Sequence, residues 1–563
     1  MTVPLGAATD PLEAAAQQYV AELEVRQPLF ADGIGIHTQD DRLPDMSAAG
    51  LGANRGWEQA WRAKFAAFNT PGATIDTRAD ASAMLDRIDR ELFEDETLHP
   101  FQTEPTRYTA VIGGAVNALT SRTYAPADER YRHVGARLAL VPGIVAAAKE
   151  NLGKPALVVT QQAIAANAGN LAMYAKLPAE AASLSAETRA TIDRNLPAAL
   201  AALRDFDAFL RGPLLARSDG ETRIGPAAYD RLFALTTGTD STRAQVMARA
   251  RADFDATRQK MFALALPLDR QYFPDALADE NKPDAIDIVV RRVLDKLADD
   301  HPTRDTVFST AKDDVDAAVA FLQKTPVVVV PTPSTLVVKP TPSYMAGVAG
   351  ASSSPPGPFS PLAESFYYID EIPASWDQAR VTSYLRDNNN YEMKILSVHE
   401  AMPGHYVQLR YVGDVPSTIR KVFGNGSFIE GWACYTEGMM LDAGYGGGDP
   451  KLRLFQLKWR LREQANAIID AGYHAENMTQ EQIDDLLVRE AYQERAQADT
   501  KWHRLQLSHL QLVTYYVGLD AITRAQTAQR VALGSRFDVA KFNAALLAMG
   551  SVEPRFIAPL LER

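Results

Sequence analysis

Two histidines and a glutamate lie close together in the C-terminal third of this sequence. His399 and Glu400 are adjacent, and His405 follows them after Ala-Met-Pro-Gly. A further glutamate, Glu430, lies downstream in an apolar and aromatic segment. Two imidazoles and a carboxylate are the ligands of a three-ligand catalytic zinc site, and a neighbouring glutamate can serve as its general base. The chain has only 9 histidines, so this concentration predicts a metal site.

The spacing of the two histidines excludes a regular helix between them. In the usual short zinc motif the histidines are at i and i+4, but here they are at i and i+6, which turns the rings about 120° apart. Pro403 lacks an amide hydrogen and Gly404 tolerates unusual dihedral angles, so we expect a break that loops out the extra residues. The alternative is a helix that ends at Met402, followed by a turn and two unrelated histidines.

The segment Phe428–Glu437 favours the metal site. A carboxylate among apolar residues needs a partner, because burial of a bare charge is very costly. Glu430 as a third ligand would leave one position open for water, which is typical of catalytic sites. Glu437 lies on the same helical face and could bond a histidine N–H. The alternative for Glu437 is a solvated glutamate at a helix end.

A polar stripe follows on a predicted helix over Leu452–Asn477. Its members share one face and are Arg460, Glu463, Asp470 and His474. By position alone a solvated surface is the simpler interpretation, but the flanking apolar residues allow an internal channel in which His474 donates a proton or stabilises an oxyanion. Farther on, Tyr515 could stabilise a tetrahedral intermediate or be an ordinary core aromatic. Arg504 could bind a substrate carboxylate.

The overall composition bounds the class of protein. The 563 residues carry a net charge of −12, with 46% hydrophobic and 23% charged residues, which argues against a nucleic-acid partner. Cys434 is the single cysteine, so a cysteine-based zinc site is excluded. No basic residue precedes Arg26 and no apolar run approaches membrane-spanning length. We therefore expect a cytoplasmic protein without a membrane partner, as a monomer or homodimer.

Patterning predicts a mainly α fold with a small β-sheet of short strands. Residues 1–323 form an N-terminal helical region, 324–389 a Pro/Val-rich segment, and 390–563 a helical metal-binding region, in what we expect to be one continuous unit. The expected strands of the middle segment are Val327–Val330, Thr335–Lys339 and Phe366–Ile369. The alternative for this segment is a flexible linker, and Ala351–Pro358 is expected to be a mobile loop in either case.

These motifs resemble a bacterial family known as domain of unknown function 885. The resemblance rests on HEAMPGHYVQ, FIEGWACYTEG and DAGYH, and on an N-terminal pattern from Pro28 to Ser47. It implies a large helical metallopeptidase-like domain of the gluzincin type with a deep cleft. One departure is His509-Leu510 before Gln511, where the family usually has Pro-Gly.

The resemblance also implies roles for individual residues. Metal would be held by His399, His405 and Glu430, with Glu400 as the base. The cleft would be lined by the following residues: Arg460, Asp470, His474, Arg504 and Tyr515. We expect Glu437 and Gln408 to support the ligands.

The expected function is that of a zinc-dependent hydrolase acting on a peptide or amide bond, such as a carboxypeptidase or dipeptidase on small substrates. Zinc is the default for this ligand set, although manganese, cobalt or iron would also fit. Three alternatives stay open: the same metal site acting on a non-peptide small molecule, a degenerate peptidase-like binding protein, and a helical scaffold without metal.

Overall fold

The structure is a computed structural model that describes residues 10–276, 278–280, 282–342 and 350–562. It is mainly helical with one small sheet, which confirms the predicted fold class. The chain divides into two compact units. The first contains the described residues up to Thr222, with Pro356–Glu364 and Val412–Gly424. The second contains the remaining ranges, including the predicted metal-binding motifs.

The first ten helices belong to the first unit. They are α1 Pro11–Arg26, α2 Pro28–Ile34, α3 Ala48–Ala66, α4 Ile75–Phe93, α5 Pro100–Thr103, α6 Pro105–Thr120, α7 Ala127–Leu138, α8 Val141–Asn151, α9 Leu157–Glu180 and α10 Ala186–Phe209. Their buried apolar faces form two clusters, one around Tyr108 and Leu203 and one around Trp61 and Phe65. Such clusters supply most of the hydrophobic stabilisation of a helical unit.

Fifteen further helices complete the described part of the chain. They are α11 Pro226–Thr237, α12 Arg243–Tyr272, α13 Ala285–Leu297, α14 Val307–Lys324, α15 Gln378–Asp387, α16 Asn390–Glu400, α17 His405–Val412, α18 Thr418–Val422, α19 Gly426–Asp442, α20 Pro450–Ala475, α21 Gln480–Asp484, α22 Arg495–Leu507, α23 Leu512–Leu533, α24 Val539–Ala548 and α25 Pro554–Leu561. Helix α18 lies in the first unit. Among the described residues, no helix is both long enough and apolar enough to cross a membrane.

The sheet has three strands in the order β1-β3-β2, namely β1 Leu336–Pro340, β2 Ala351–Ser354 and β3 Ser365–Ile369. The central strand β3 is buried throughout, and it pairs in parallel with β1 and antiparallel with β2. Two of the three predicted strands are therefore present, and the linker alternative is wrong for these residues.

Two expectations for this segment need correction. Val327–Val330 is not a strand. Side chains take two of its carbonyl oxygens instead, because Asn543 donates to Val327 O at 3.0 Å and Tyr411 donates to Val329 O at 3.0 Å. Ala351–Ser354, expected as part of a loop, forms β2, because the buried strand β3 offers its free edge to them.

Candidate metal centre

The chain breaks and doubles back between the two histidines. Helix α16 ends at Glu400 and α17 begins at His405. The amide of Gly404 donates to Val398 O at 3.0 Å. A Cβ atom on Gly404 would lie 1.8 Å from His399 O, so only glycine fits this close approach. The expected interruption is therefore present, and its Pro-Gly sequence is what permits it.

The break brings the two imidazoles and Glu430 together. His405 Nε2 lies 3.3 Å from Glu430 Oε2, and His399 Nε2 lies 3.9 Å from the same oxygen. One ligand atom from each residue falls within 4.8 Å of the others. The two rings meet edge to face at 90°, with centroids 4.8 Å apart. The three side chains thus point at one common position.

This arrangement fits a tetrahedral zinc ion. With Zn–N and Zn–O distances of about 2.0–2.2 Å, adjacent ligand atoms lie about 3.3–3.5 Å apart. The shorter measured separation matches this value, and the longer one needs only a small side-chain rotation. Glu430 Oε2 is buried and accepts no hydrogen bond from the described residues. An orphaned carboxylate oxygen facing two imidazole nitrogens is satisfied by a cation.

Glu437 fixes the orientation of His399. Its Oε1 lies 2.8 Å from His399 Nδ1, and Glu437 is 0% exposed. This contact is the one expected from the sequence. A carboxylate on Nδ1 holds that nitrogen protonated and leaves Nε2 with a free lone pair for a metal. Burial, and then the charge of His405, lower the pKa of His399, which favours the neutral ring that metal binding requires.

A second buried acid lies behind Glu437. Glu463 of α20 is 3% exposed, and its Oε2 lies 3.3 Å from Nε of Arg460. Burial raises the pKa of Glu437 and of Glu463 to about 8. Burial, and then the charge of Glu463, also raise the pKa of the Cys434 thiol. The face of α20 is therefore an internal charge network, and the solvated-surface interpretation is wrong.

Glu400 is adjacent to the candidate ligand His399 and forms no hydrogen bond or ion pair with the described residues. It is 8% exposed, and a nearly buried carboxylate normally has such a partner. Its place at the last residue of α16, adjacent to His399, suits a group that bonds a reacting water.

Helix α23 contributes residues on the Glu430 side. Gln511 Nε2 lies 3.5 Å from Glu430 Oε1 and 3.4 Å from the Tyr515 hydroxyl. Arg504 donates to Gln511 Oε1 at 2.5 Å. The Tyr515 ring stacks near His399 at 6.3 Å. Burial, and then Glu430, raise the pKa of Tyr515 to about 12, so its hydroxyl stays protonated at neutral pH.

Two glycines let α19 and α23 approach closely enough for these contacts. A Cβ on Gly518 would lie 1.6 Å from Ser427 O, and a Cβ on Gly431 would lie 2.3 Å from Gly518 C. Gly431 directly follows Glu430, so the backbones of the two helices are in close contact next to the third candidate ligand. Any larger residue at either position would separate Glu430 from Gln511 and Tyr515.

Comparisons with known proteins agree with this fold. The profile of the bacterial proteins of unknown function DUF885 matches residues 28–559. The chain belongs to the DUF885 family. No curated protein matches it.

Two solved structures are similar to this chain over nearly their whole length. A protein from Shewanella oneidensis, described as a candidate lipoprotein of unknown function, is 29% identical with a TM-score of 0.82, covering 99% of this chain and 100% of its own. A second candidate lipoprotein, from Colwellia psychrerythraea, is 16% identical with a TM-score of 0.78, covering 98% of each chain. The second likeness concerns the fold alone.

The carboxylate of Asp470 accepts hydrogen bonds from other groups of the protein. It is 1% exposed, and it accepts hydrogen bonds from the Tyr229 hydroxyl at 2.9 Å and from the amides of Leu510, Leu512 and Val513 at 2.9–3.3 Å. It therefore anchors the start of α23, which carries Tyr515, and is not free to bind substrate.

Three other residues predicted for the site also lie away from the position shared by His399, His405 and Glu430. His474 Nε2 bonds Ser508 O at 3.1 Å, and burial lowers the pKa of His474 to about 3, so its ring is neutral and cannot donate as an acid. Gln408 donates to Ser551 Oγ at 2.8 Å rather than to a ligand. Arg460 faces Glu463 and a separate cavity.

The departure from the DUF885 pattern has a structural consequence. Leu510 adopts a φ of 61°, the left-handed region in which glycine is favoured and other residues are strained. The family's usual Pro-Gly places a glycine at this position. Gln511, which contacts both Glu430 and Tyr515, follows directly. The sequence did not single out Gln511 as a site residue, although its place in the family pattern was a usable signal.

Proposed function

We propose that this DUF885 protein is a zinc-dependent hydrolase of peptide or amide bonds. The observation that carries the proposal is the convergence of His399, His405 and Glu430 beside an unpartnered Glu400. Three protein ligands leave a coordination position for water or substrate, which is typical of catalytic rather than structural zinc. An intact general base argues against the alternative of a degenerate binding protein.

Each neighbouring residue has a role in this chemistry. When bound, zinc would polarise the scissile carbonyl and acidify a water molecule. Glu400 takes a proton from the attacking water and returns it to the leaving amine. Tyr515, kept neutral by its raised pKa, donates a hydrogen bond to the developing oxyanion. Gln511 holds both the Tyr515 hydroxyl and Glu430 in place.

The substrate class follows from Arg504. This residue lies among Tyr515, Gln511 and Glu430, and its guanidinium is the fixed positive charge on that side of the site. A free substrate carboxylate is the natural partner of such a group. We therefore propose action on small peptides or amides with a free C-terminus, as in a carboxypeptidase or dipeptidase. The cytoplasmic location remains part of this proposal, and fractionation of cells that express the full-length gene tests it.

The first experiment measures metal content. We expect about one zinc per chain by mass spectrometry, and loss of zinc in both His405→Ala and Glu430→Ala. Absence of metal from the wild type, even after zinc addition, would overturn the proposal.

The second experiment separates binding from catalysis. Glu400→Gln should keep its zinc and lose hydrolysis of short peptides by at least about 10²–10⁴-fold. The matched control is Glu481→Gln, the same change at an exposed position of α21, and it should leave turnover unchanged. Retained activity in Glu400→Gln would refute the base assignment.

A further inference from the structure

A cavity of about 300 Å³ borders Arg460, whose Nε lies 3.3 Å from the buried acid Glu463. Thr325, Val327 and Val539 line part of it, and three helices of the second unit form the rest of its wall. The polar groups that they contribute are Tyr435 and Asp442 of α19, Arg460 of α20, and Thr523, Gln526 and Arg530 of α23. The α23 residues recur at helical spacing, so they present one face to the cavity. The cavity is a built groove and not a gap between loops.

Two arginines give this cavity a positive end. Arg530 is exposed, and in the described part of the chain it has no carboxylate partner; its guanidinium packs over the Phe537 ring at 4.4 Å. Arg460 is 22% exposed, and its Nε lies 3.3 Å from Glu463 Oε2.

We propose that this cavity binds a small organic carboxylate. The two guanidinium groups supply the donors that a carboxylate accepts. Val327, Met439 and Val539 line the remaining wall, so the cavity also offers apolar surface to a carbon skeleton. At about 30 Å³ per water molecule, its volume equals about ten waters. The cavity therefore has room for a ligand of the size of a dicarboxylic acid or an amino acid.

The cavity is connected to the metal centre through its wall. Arg460 pairs with Glu463, and its charge acts on Glu437, which bonds the ligand His399. A carboxylate on Arg460 adds negative charge behind His399, and negative charge favours a cation. Zinc and the carboxylate therefore strengthen each other's binding by the same factor. This link rests on the proposed function, whereas the carboxylate site itself does not.

The test is a ligand-observed NMR titration of the zinc-treated full chain with succinate. We expect saturable binding with a Kd of about 1 mM or tighter, and none of the neutral isostere succinamide. Arg530→Gln should weaken binding at least about tenfold, because a charge-assisted contact is lost. Arg524→Gln is the matched control, since Arg524 is an exposed arginine of the same helix outside the cavity lining.

Each other outcome contradicts the assignment. Equal binding of succinamide, or an unchanged Kd in Arg530→Gln, would overturn the carboxylate site. Inorganic phosphate that binds as tightly as succinate would overturn the organic part of the assignment.

A second measurement tests the connection. Chelator competition should show zinc affinity rising at least about fivefold at a succinate concentration that saturates the wild type. Arg530→Gln should show a smaller rise at the same concentration, and this variant also corrects for zinc complexed by free succinate. An unchanged zinc affinity with succinate bound would refute the connection. A protein that binds succinate but no zinc would refute the proposed function and leave the carboxylate site standing.

Discussion

The hydrogen bond from His399 to Glu437 allows a quantitative test of the metal centre. The replacement Glu437→Gln keeps the shape of the side chain and an acceptor oxygen but removes the charge. Glu437→Ala removes the acceptor altogether. Because Glu437 is 0% exposed, no water is at hand to replace it in either variant without rearrangement.

The expected loss follows from the geometry of the contact. The bond is 2.8 Å long and joins two buried groups, and a divalent ion on the opposite ring nitrogen favours the carboxylate form of Glu437. Hydrogen bonds to charged groups contribute about 1.5–3 kcal/mol and neutral ones about 0.5–1.5. The midpoints of these ranges differ by about 1.3 kcal/mol, which predicts zinc binding about tenfold weaker in Glu437→Gln. Glu437→Ala leaves the His399 N–H unpaired, so we expect a loss nearer 100-fold.

The assay is zinc affinity by chelator competition, with circular dichroism to establish that each variant is folded. Glu481→Gln is the matched control: it is the same change of charge at an exposed position of α21. The control should bind zinc as the wild type does. Wild-type affinity in folded Glu437→Ala would show that His399 is not a ligand through Nε2, and the assembly of the site would have to be reconsidered.

Three further predictions concern residues around the site. Tyr515→Phe should keep its zinc and lose about 10²–10³-fold in kcat; an unchanged kcat would remove Tyr515 from the mechanism. Leu510→Gly should unfold at higher urea than Leu510→Ala, reversing the usual order by about 1 kcal/mol, because glycine relieves the positive φ. Burial lowers the pKa of His474 from 6.5 to about 3, so its contribution to stability is complete above pH 6.5 and declines by about 1.4 kcal/mol per pH unit as the pH falls toward 3. His474→Gln should flatten this decline of the unfolding free energy, measured by urea unfolding at pH 4.5–6.5. An unaltered dependence on pH would show that the lowered pKa of His474 is not its cause.

Helical periodicity predicted the bounds of helices better than it predicted which of their faces are buried. The helix expected over Leu452–Asn477 is found at Pro450–Ala475. Its polar face, however, is buried, with Glu463 at 3% and Asp470 at 1% exposure. Periodicity shows which residues share a face, but not which other helices pack against it. The partners of Asp470 are amides at the start of α23, distant in sequence, and no local pattern encodes them.

The strands show the same limit of prediction from local sequence. The β-branched run Val327–Val330 has high strand propensity but has side-chain partners in place of a neighbouring strand. Ala351–Ser354 has low propensity and forms β2, because it pairs with the buried strand β3. Strand propensity reports how a residue fits an existing sheet more than an intrinsic backbone preference. The break between His399 and His405 was predictable because Pro403 and Gly404 act through their own backbones.

The charges around the histidines supply a separate argument for a divalent cation. Burial raises the pKa of Glu437 and of Glu463 to about 8, so both acids are largely protonated at neutral pH unless a positive charge compensates them. A divalent cation held by His399, His405 and Glu430, as we propose, would favour their carboxylate forms. Such an ion would offset the cost of burying these acids, in agreement with the geometry of the three candidate ligands.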